Sequence, residues 1–419
     1  MTPIVENAPP PPLNERRFAF RVLFGALLIV GVGNSMLFAI LPPLGRELGL
    51  EDWGVGAIFS LSALIWVFAS PSWGRISDRR GRKVIIATGL MAYSLSMTLF
   101  ALVTMAGQAN WLNAIGVFIG LALARAVFGA VGSAASPAAQ AYVADHTRSE
   151  ERTSEIAALT AAFALGSALG PGLCALIAAE IGLVAPIWLV AGLALIGGLA
   201  VMRYLPGGGP PAPETVRPRV KGETLRLARD RRVSGHLLYG LGLSLVGGIQ
   251  AQTYTFYTMD RLGLTGAQGA EAAAMGFMVG ALAVLATQMG IVPRLSLSNR
   301  LLMAFGAAIA ALGVAMQAFA GTLPALLVSQ MAFGIGMGLA RPGFAGGAST
   351  AVSPQEQGAV AGLVVATNGA GFVVSPVFGG LAYQVLGITA PLWIAAAFLS
   401  AMALFGLRSR RLAAPRWEG

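Results

Sequence analysis

The chain has 419 residues, of which 56% are hydrophobic and only 11% charged, against about 25% charged in an ordinary soluble domain. With a mean hydropathy of +0.72 it has too few charged groups to cover a water-exposed surface. This excludes a soluble globular enzyme and a disordered chain, and leaves lipid as the solvent for most of the surface. A formal net charge of +10 then raises the question of where the basic residues lie. A nucleic-acid-binding protein gathers them on one soluble module, whereas a membrane protein sorts them by side.

Residues 1–17, with Pro9 to Pro12, read as a disordered N-terminal tail. Twelve apolar stretches follow, near 18–41, 53–73, 84–106, 112–143, 156–178, 185–204, 235–258, 268–291, 301–320, 323–349, 357–386 and 390–407. Each reaches the roughly 20 residues that cross a bilayer core, and none alternates with the two-residue period of a barrel strand. The first stretch is too long for a signal-peptide core and lacks a small-residue cleavage site, so it is expected to remain as a span. The stretches at 112–143 and 357–386 are long, which predicts a projection or a kink, with Pro137, Pro342 and Pro376 as the kink candidates. A glycine run, Gly207 to Gly209, then Pro210, Pro211 and Pro213, opens a charged linker at 205–234. It separates spans in 18–204 from spans in 235–407, with a short tail at 408–419. The expected fold class is an all-α membrane protein of twelve transmembrane helices in two pseudo-symmetric six-helix bundles.

The halves repeat at a fixed offset of 205. Phe128-Gly129 recurs as Phe333-Gly334, Pro137 as Pro342, Glu151 as Glu356, Gly166 as Gly371, Pro171 as Pro376, and Arg203 as Arg408. The run Ala185 to Trp188 recurs as Ala390 to Trp393. Such a repeat implies two equivalent bundles, a transporter design that binds substrate between its halves near the midplane.

With the N-terminus inside, 24 of the 28 lysines and arginines fall on the cytoplasmic side, and only Arg46 and Arg261 fall on the outer side. This asymmetry predicts cytoplasmic N- and C-termini and an integral protein of a bacterial-type inner membrane. The remaining two, Arg125 and Arg341, lie inside spans. Cys174 is the single cysteine, so no intramolecular disulfide forms, and its apolar neighbours read as packing. His146 and His236 do not make a metal site between them, and no metal or cofactor is expected. Lys83 follows Arg82 and Lys221 follows Val220, so no phosphate-cradling Gly-Lys-Ser/Thr loop exists, which argues against an ATP-driven pump. A channel would need a filter-like repeat or a charged ring, and neither is present.

Three motifs carry a family resemblance. The 2–3 loop reads G-R-I-S-D-R-R-G-R-K from Gly74 to Lys83, with Asp78 among basic residues and Gly74 and Gly81 suited to turns at two helix ends. Span 4 has Arg125 followed four residues later by Gly129, and span 5 reads G-S-A-L-G-P-G-L-C-A, containing Gly166, Gly170 and Pro171. Small residues four apart let helices approach closely. The chain thereby resembles the major facilitator superfamily, in particular its twelve-span drug:proton antiporter group of tetracycline and multidrug exporters. It departs from the group's span-5 motif at Cys174 and Ala175, and the second half has only Pro293, Arg294 and Arg300 in place of the loop signature. The resemblance implies a carrier working by alternating access, exporting a small molecule in exchange for H⁺, with Asp78, Arg82, Arg125, Asp145 and Glu155 as candidates for gating or proton coupling.

An arginine at membrane depth costs about 2.5–3.5 kcal/mol on the insertion scale, so Arg125 and Arg341 are expected to face a cavity or a partner. None of the 18 acids lies deep in a span. Many proton-coupled relatives place a carboxylate in span 1, where this chain offers Asn34 and Ser35. Two cations without an acid favour an anionic or neutral substrate over a cationic one. Candidate substrate contacts are Asn34, Arg125, Gln250, Gln252, Tyr254, Tyr257, Arg341 and Asn368, with Gln140 and Gln330 as further polar wall residues and Phe38, Trp66, Phe256 and Phe372 as apolar ones. The expected function is proton-coupled export of small amphipathic or anionic organic molecules by a monomer in the bilayer, without nucleic acid. The alternative is a carrier or importer of an organic anion, metabolite or siderophore.

Overall fold

In lipid, an apolar run must satisfy its backbone groups internally, and a helix does so within one segment. The computed structural model describes residues 13–147, 149–206, 223–353, 356–409 and 412. Pro9 to Pro12, the glycine and proline part of the linker, and Arg148, Arg217, Arg219, Lys221, Arg410, Arg411 and Arg416 lie outside the described residues. The described α-helices are α1 Leu13–Glu47, α2 Asp52–Arg80, α3 Arg82–Gln108, α4 Ala114–Ala130, α5 Ala135–Asp145, α6 Ser149–Ile181 and α7 Ala185–Tyr204. The second half continues with α8 Glu223–Arg229, α9 Arg231–Leu262, α10 Gly266–Ala286, α11 Asn299–Phe319, α12 Leu323–Thr350, α13 Gln357–Leu386 and α14 Ala390–Arg408.

Among the described residues, eleven helical segments are long and apolar enough to cross a membrane. At 32 residues, α9 is long enough but is not among them. Its polar residues Ser244, Gln250, Gln252, Thr253, Thr255 and Thr258 are buried, so they face neighbouring helices, where lipid does not penalise them.

Local chemistry sets several boundaries. Asn113 caps α4 by accepting from Gly116 N at 2.8 Å. Gly81, at φ 92°, is the whole connection between α2 and α3, a conformation glycine adopts without a Cβ penalty. Gly74 was expected at a helix end and instead lies inside α2. The fourth span breaks into α4, a 3₁₀ turn at Gly132–Ala134, and α5. Pro137 stands in the first turn of α5, where its missing N–H removes no helical bond. Pro342 and Pro376 sit inside uninterrupted helices. The break that sequence does not announce is a π turn at Thr287–Ile291, which runs into a 3₁₀ turn at Val292–Arg294.

Glycine contacts display the internal symmetry. A Cβ on Gly89 of α3 would stand 2.5 Å from Ala135 N, and one on Gly306 of α11 would stand 2.5 Å from Ala340 N. A Cβ on Gly166 of α6 would collide with the Leu28 carbonyl of α1, and one on Gly371 of α13 would collide with Ser244 Oγ and approach Leu245 N of α9. Positions 135, 166 and their mates differ by 205, whereas 28 and 89 differ from theirs by 217. The change arises because α3, its following loop and the start of α4 are together twelve residues longer than their counterparts in the second half.

The halves meet at the Arg-poor end. A Cβ on Gly56 of α2 would collide with the Pro376 carbonyl of α13, and one on Gly380 would stand 2.9 Å from Trp53 Cα. Symmetrically, a Cβ on Gly172 of α6 would stand 2.8 Å from Met278 Sδ of α10, and buried Ala39, Ala175 and Ala274 share one cluster. Toward the Arg-rich end, a Cβ on Gly369 would still stand 3.3 Å from Trp66, but ones on Gly74, Gly358 and Gly362 would meet nothing within 4 Å. Among the described residues, the ion pairs of that end stay within one half: Arg16–Glu151 at 2.8 Å and Arg82–Asp145 at 2.9 Å in the first, Arg232–Glu356 at 3.6 Å in the second. Glu151 and Glu356 are repeat mates, so each half ties its first and fifth spans together in the same way.

Candidate functional site

At the centre of the first half, Arg125 is 4% exposed. Two serines hold its helix in place: Ser62 Oγ of α2 donates to the Arg125 carbonyl at 3.1 Å, and Ser96 Oγ of α3 donates to the Ala124 carbonyl at 2.7 Å. The guanidinium donates from Nη2 to Asn34 Oδ1 at 3.1 Å, while Asn34 Nδ2 donates to the Val30 carbonyl at 3.1 Å. It lies 4.6 Å from the Phe128 ring centroid and 6.0 Å from that of Phe59. Its Nε and Nη1 are buried without a hydrogen-bond partner, and among the described residues it forms no ion pair. Cation–π contacts recover about 0.5–2 kcal/mol, which leaves a desolvated charge with two donors unused.

The aromatic surroundings lead from this charge to the seam between the halves. Phe59 stacks on Phe38 at 4.4 Å, and Phe38 lies 6.4 Å from Phe372 of α13. Thr255 Oγ1 of α9 donates to the Phe38 carbonyl at 2.7 Å. Gln252 of α9 is fully buried, with neither amide atom hydrogen-bonded. The position matching Arg125 in the second half is Gln330, buried and neutral, so the two bundles differ in charge at equivalent depth.

The other expected substrate contacts divide into two groups. Gln250 Nε2 donates to Gln317 Oε1 at 2.8 Å, and Tyr257 OH donates to the Gln317 carbonyl at 2.8 Å, so both are turned toward α11. Tyr254 packs edge-on to Phe277 of α10 at 5.1 Å. Arg341 and Asn368 are exposed. Arg341 Nη2 stands 3.6 Å from the place a Cβ on Gly247 would take, with no ion pair among the described residues. Asn368 contributes its carbonyl to Ser244 Oγ at 2.5 Å. Gln140 donates to Ser136 Oγ at 3.3 Å within α5.

Of the expected gating residues, the structure brings three together. Arg82 pairs with Asp78 across the Gly81 turn between α2 and α3, donates to Asp145 Oδ2 at 2.9 Å, and donates to Ser77 Oγ at 2.6 Å. Glu155 lies apart from them, in a cleft of about 240 Å³ with Arg17, Arg21, Phe20 and Phe24. Where the linker enters α9, Asp230 caps the helix through Arg232 N at 2.9 Å, and the Arg232 guanidinium holds that carboxyl below the ordinary carboxylate range. Gly170 and Gly166 keep α6 against α1, through Val32, Ser35 and Leu28.

A second charged site went unnoticed in the sequence. Arg46, at the end of α1, donates to both oxygens of Asp52 at 3.0 and 2.8 Å and to both oxygens of Asp260 at 2.5 and 3.0 Å. It lies 4.8 Å over the Phe256 ring, and Tyr383 OH donates to Asp260 Oδ2 at 2.7 Å. Gln384 Nε2 donates to Glu51, and Trp53 N donates to Gln384 Oε1 at 3.5 Å. These contacts join the halves at the Arg-poor end. The available signal was that Arg46 is one of only two basic residues there, yet its partner in the other half is 214 positions away.

Comparisons with known proteins agree with this architecture. Multidrug resistance protein MdtG of Proteus mirabilis is 36% identical over 84 residues, 19% of this chain and 20% of that protein. The same-named protein of Erwinia billingiae is 31% identical over 114 residues, covering 26% and 27%. Quinolone resistance protein NorA of Staphylococcus aureus is 31% identical over 80 residues, covering 19% and 21%. The matches thus span only about a fifth to a quarter of each relative's length. Among solved structures, a bacterial homolog of the human lysosomal transporter Spinster, in an inward-facing and occupied conformation, superposes with a TM-score of 0.76 at 15% identity, over 97% of this chain and 99% of that one. The human organic anion transporter MFSD10 superposes with a TM-score of 0.65 at 19% identity, over 93% and 99%, which shows a shared fold. The Major Facilitator Superfamily family model matches residues 23–316 and 294–417, and the chain belongs to that superfamily.

Proposed function

We propose that this protein is a proton-coupled exporter of small amphipathic or anionic organic molecules, acting as a monomer in a bacterial-type inner membrane with both termini in the cytoplasm. The observation that carries the substrate class is the desolvated Arg125 guanidinium, flanked by aromatic rings and left with two unused donors. A ligand carboxylate, or an equivalent acceptor group, supplies what the protein withholds there. Aromatic walls at Phe59, Phe38 and Phe372 suit an apolar body attached to that group. Arg341, exposed on α12, offers such a molecule a further contact along its route. Export follows from the partial matches to multidrug resistance proteins and from the span-5 motif at Gly166, Gly170 and Pro171. Placing the Arg-rich end in the cytoplasm by the positive-inside rule makes the present conformation inward-facing, shut outside and parted inside. Asp78, Arg82 and Asp145 then form a charged cluster within the first half that docks on the second when the inside closes.

Uptake of labelled aromatic monocarboxylates into vesicles is expected to saturate and to be competed by unlabelled compound. Asp78→Asn is expected to lower that transport about tenfold or more at unchanged protein level. Wild-type turnover in the variant removes Asp78 from the gate, and transport that never saturates contradicts a carrier.

A further inference from the structure

We propose that Asp260 is a proton-binding site that unlocks the Arg-poor end: a proton taken from water on that side neutralises the carboxylate and releases Arg46. The proposal rests on the alternating-access reading above. Its basis is the division of partners between the halves. Arg46 and Asp52 belong to the first half, Asp260 and Tyr383 to the second. When the halves part, Arg46 keeps Asp52, and Asp260 keeps only the phenol of Tyr383. Asp260 is therefore the one member left without an opposite charge on opening.

Among the described residues, Glu180 of α6 and Glu271 of α10 also belong to this end and form no ion pair, and three further charged groups adjoin the latch in sequence. Glu47 of α1 lies 3.1 Å from the place of a Cβ on Gly266, Glu51 of α2 accepts from Gln384, and Arg261 of α9 donates to the Ala320 carbonyl at 2.8 Å. None substitutes for Arg46. Asp260 stands in the last turn of α9, past the apolar stretch near 235–258, with its side chain 31% exposed, so water reaches it from the Arg-poor side. Burial works in the opposite direction, but the Arg46 and Tyr383 donors hold the latched carboxyl below the ordinary carboxylate range. Opening removes Arg46, and proton affinity rises. The sign follows from linkage. The latch has its full strength at pH above the open-state value and loses it as pH falls through the lower, latched value. The proton leaves by the same side when Arg46 returns, and no other bond changes.

The test is a distance measurement between nitroxides on Trp111→Cys, an exposed position between α3 and α4, and Gly321→Cys, between α11 and α12, in a Cys174→Ala background. On lowering the pH from about 7 to about 3, roughly one unit below the ordinary Asp value of about 3.9, the ratio of long to short distances is expected to rise by up to about tenfold. Asp260→Asn is expected to show that raised ratio already at neutral pH and to lose the pH response, while Asp52→Asn keeps it. A pH response that survives in Asp260→Asn, or no response in the labelled parent, overturns the proposal. Should the transport reading fail instead, vesicle transport is absent while the pH-dependent distances remain.

Discussion

Replacing Arg125 with methionine is expected to abolish transport, by about 100-fold or more, while making the purified protein more stable. The guanidinium has one hydrogen bond, to Asn34, and two ring contacts, and its Nε and Nη1 are buried without partners. A charge at this depth costs about 2.5–3.5 kcal/mol on the insertion scale. Methionine fills a similar volume without it, so the thermal midpoint in detergent is expected to rise by several degrees. A structural tie makes the opposite prediction, with stability falling and transport following it down. Wild-type transport by Arg125→Met removes the residue from substrate recognition altogether.

The second large effect concerns packing. Gly166→Ala places a methyl group against the Leu28 carbonyl, and Gly371→Ala places one against Ser244 Oγ. In both cases a first span must move away from a fifth span. Each change is expected to cost about 2–4 kcal/mol. Gly362→Ala, on the same helix as Gly371 but with nothing within 4 Å, is expected to be neutral or stabilising by up to about 1 kcal/mol, because alanine is the better helix former. Thermal unfolding of the three variants side by side checks this. Equal midpoints contradict the close-approach role of the paired glycines.

These two cases also mark how far the sequence was legible. The spans could be read because an apolar run of about 20 residues admits one solution in lipid. The span-5 glycines could be read because four-residue spacing puts them on one helix face, and the structure gives that face its partner, α1. Arg125 stood out by its cost at depth. The latch at Arg46 did not, because its chemistry depends on pairing residues 214 positions apart, and a surface arginine gives no local sign of such a partner. Gln250 and Tyr257 looked like pocket residues because a polar group on a spanning helix must face inward. Inward, for them, is toward Gln317 of α11. The repeat at offset 205 already paired Arg125 with Gln330, but the charge asymmetry between the halves has meaning only once both positions are seen buried at corresponding places.

The central claim is that one chain, with no nucleotide, carries an organic anion by exposing a site around Arg125 to each side in turn. Counterflow in proteoliposomes tests it most directly. Vesicles loaded with an unlabelled aromatic monocarboxylate are diluted into labelled compound, with no ion gradient and no ATP. A carrier is expected to accumulate label transiently above its equilibrium level, and Arg125→Met is expected to abolish the overshoot. A rise that only approaches equilibrium, or the same overshoot in the variant, would contradict the account.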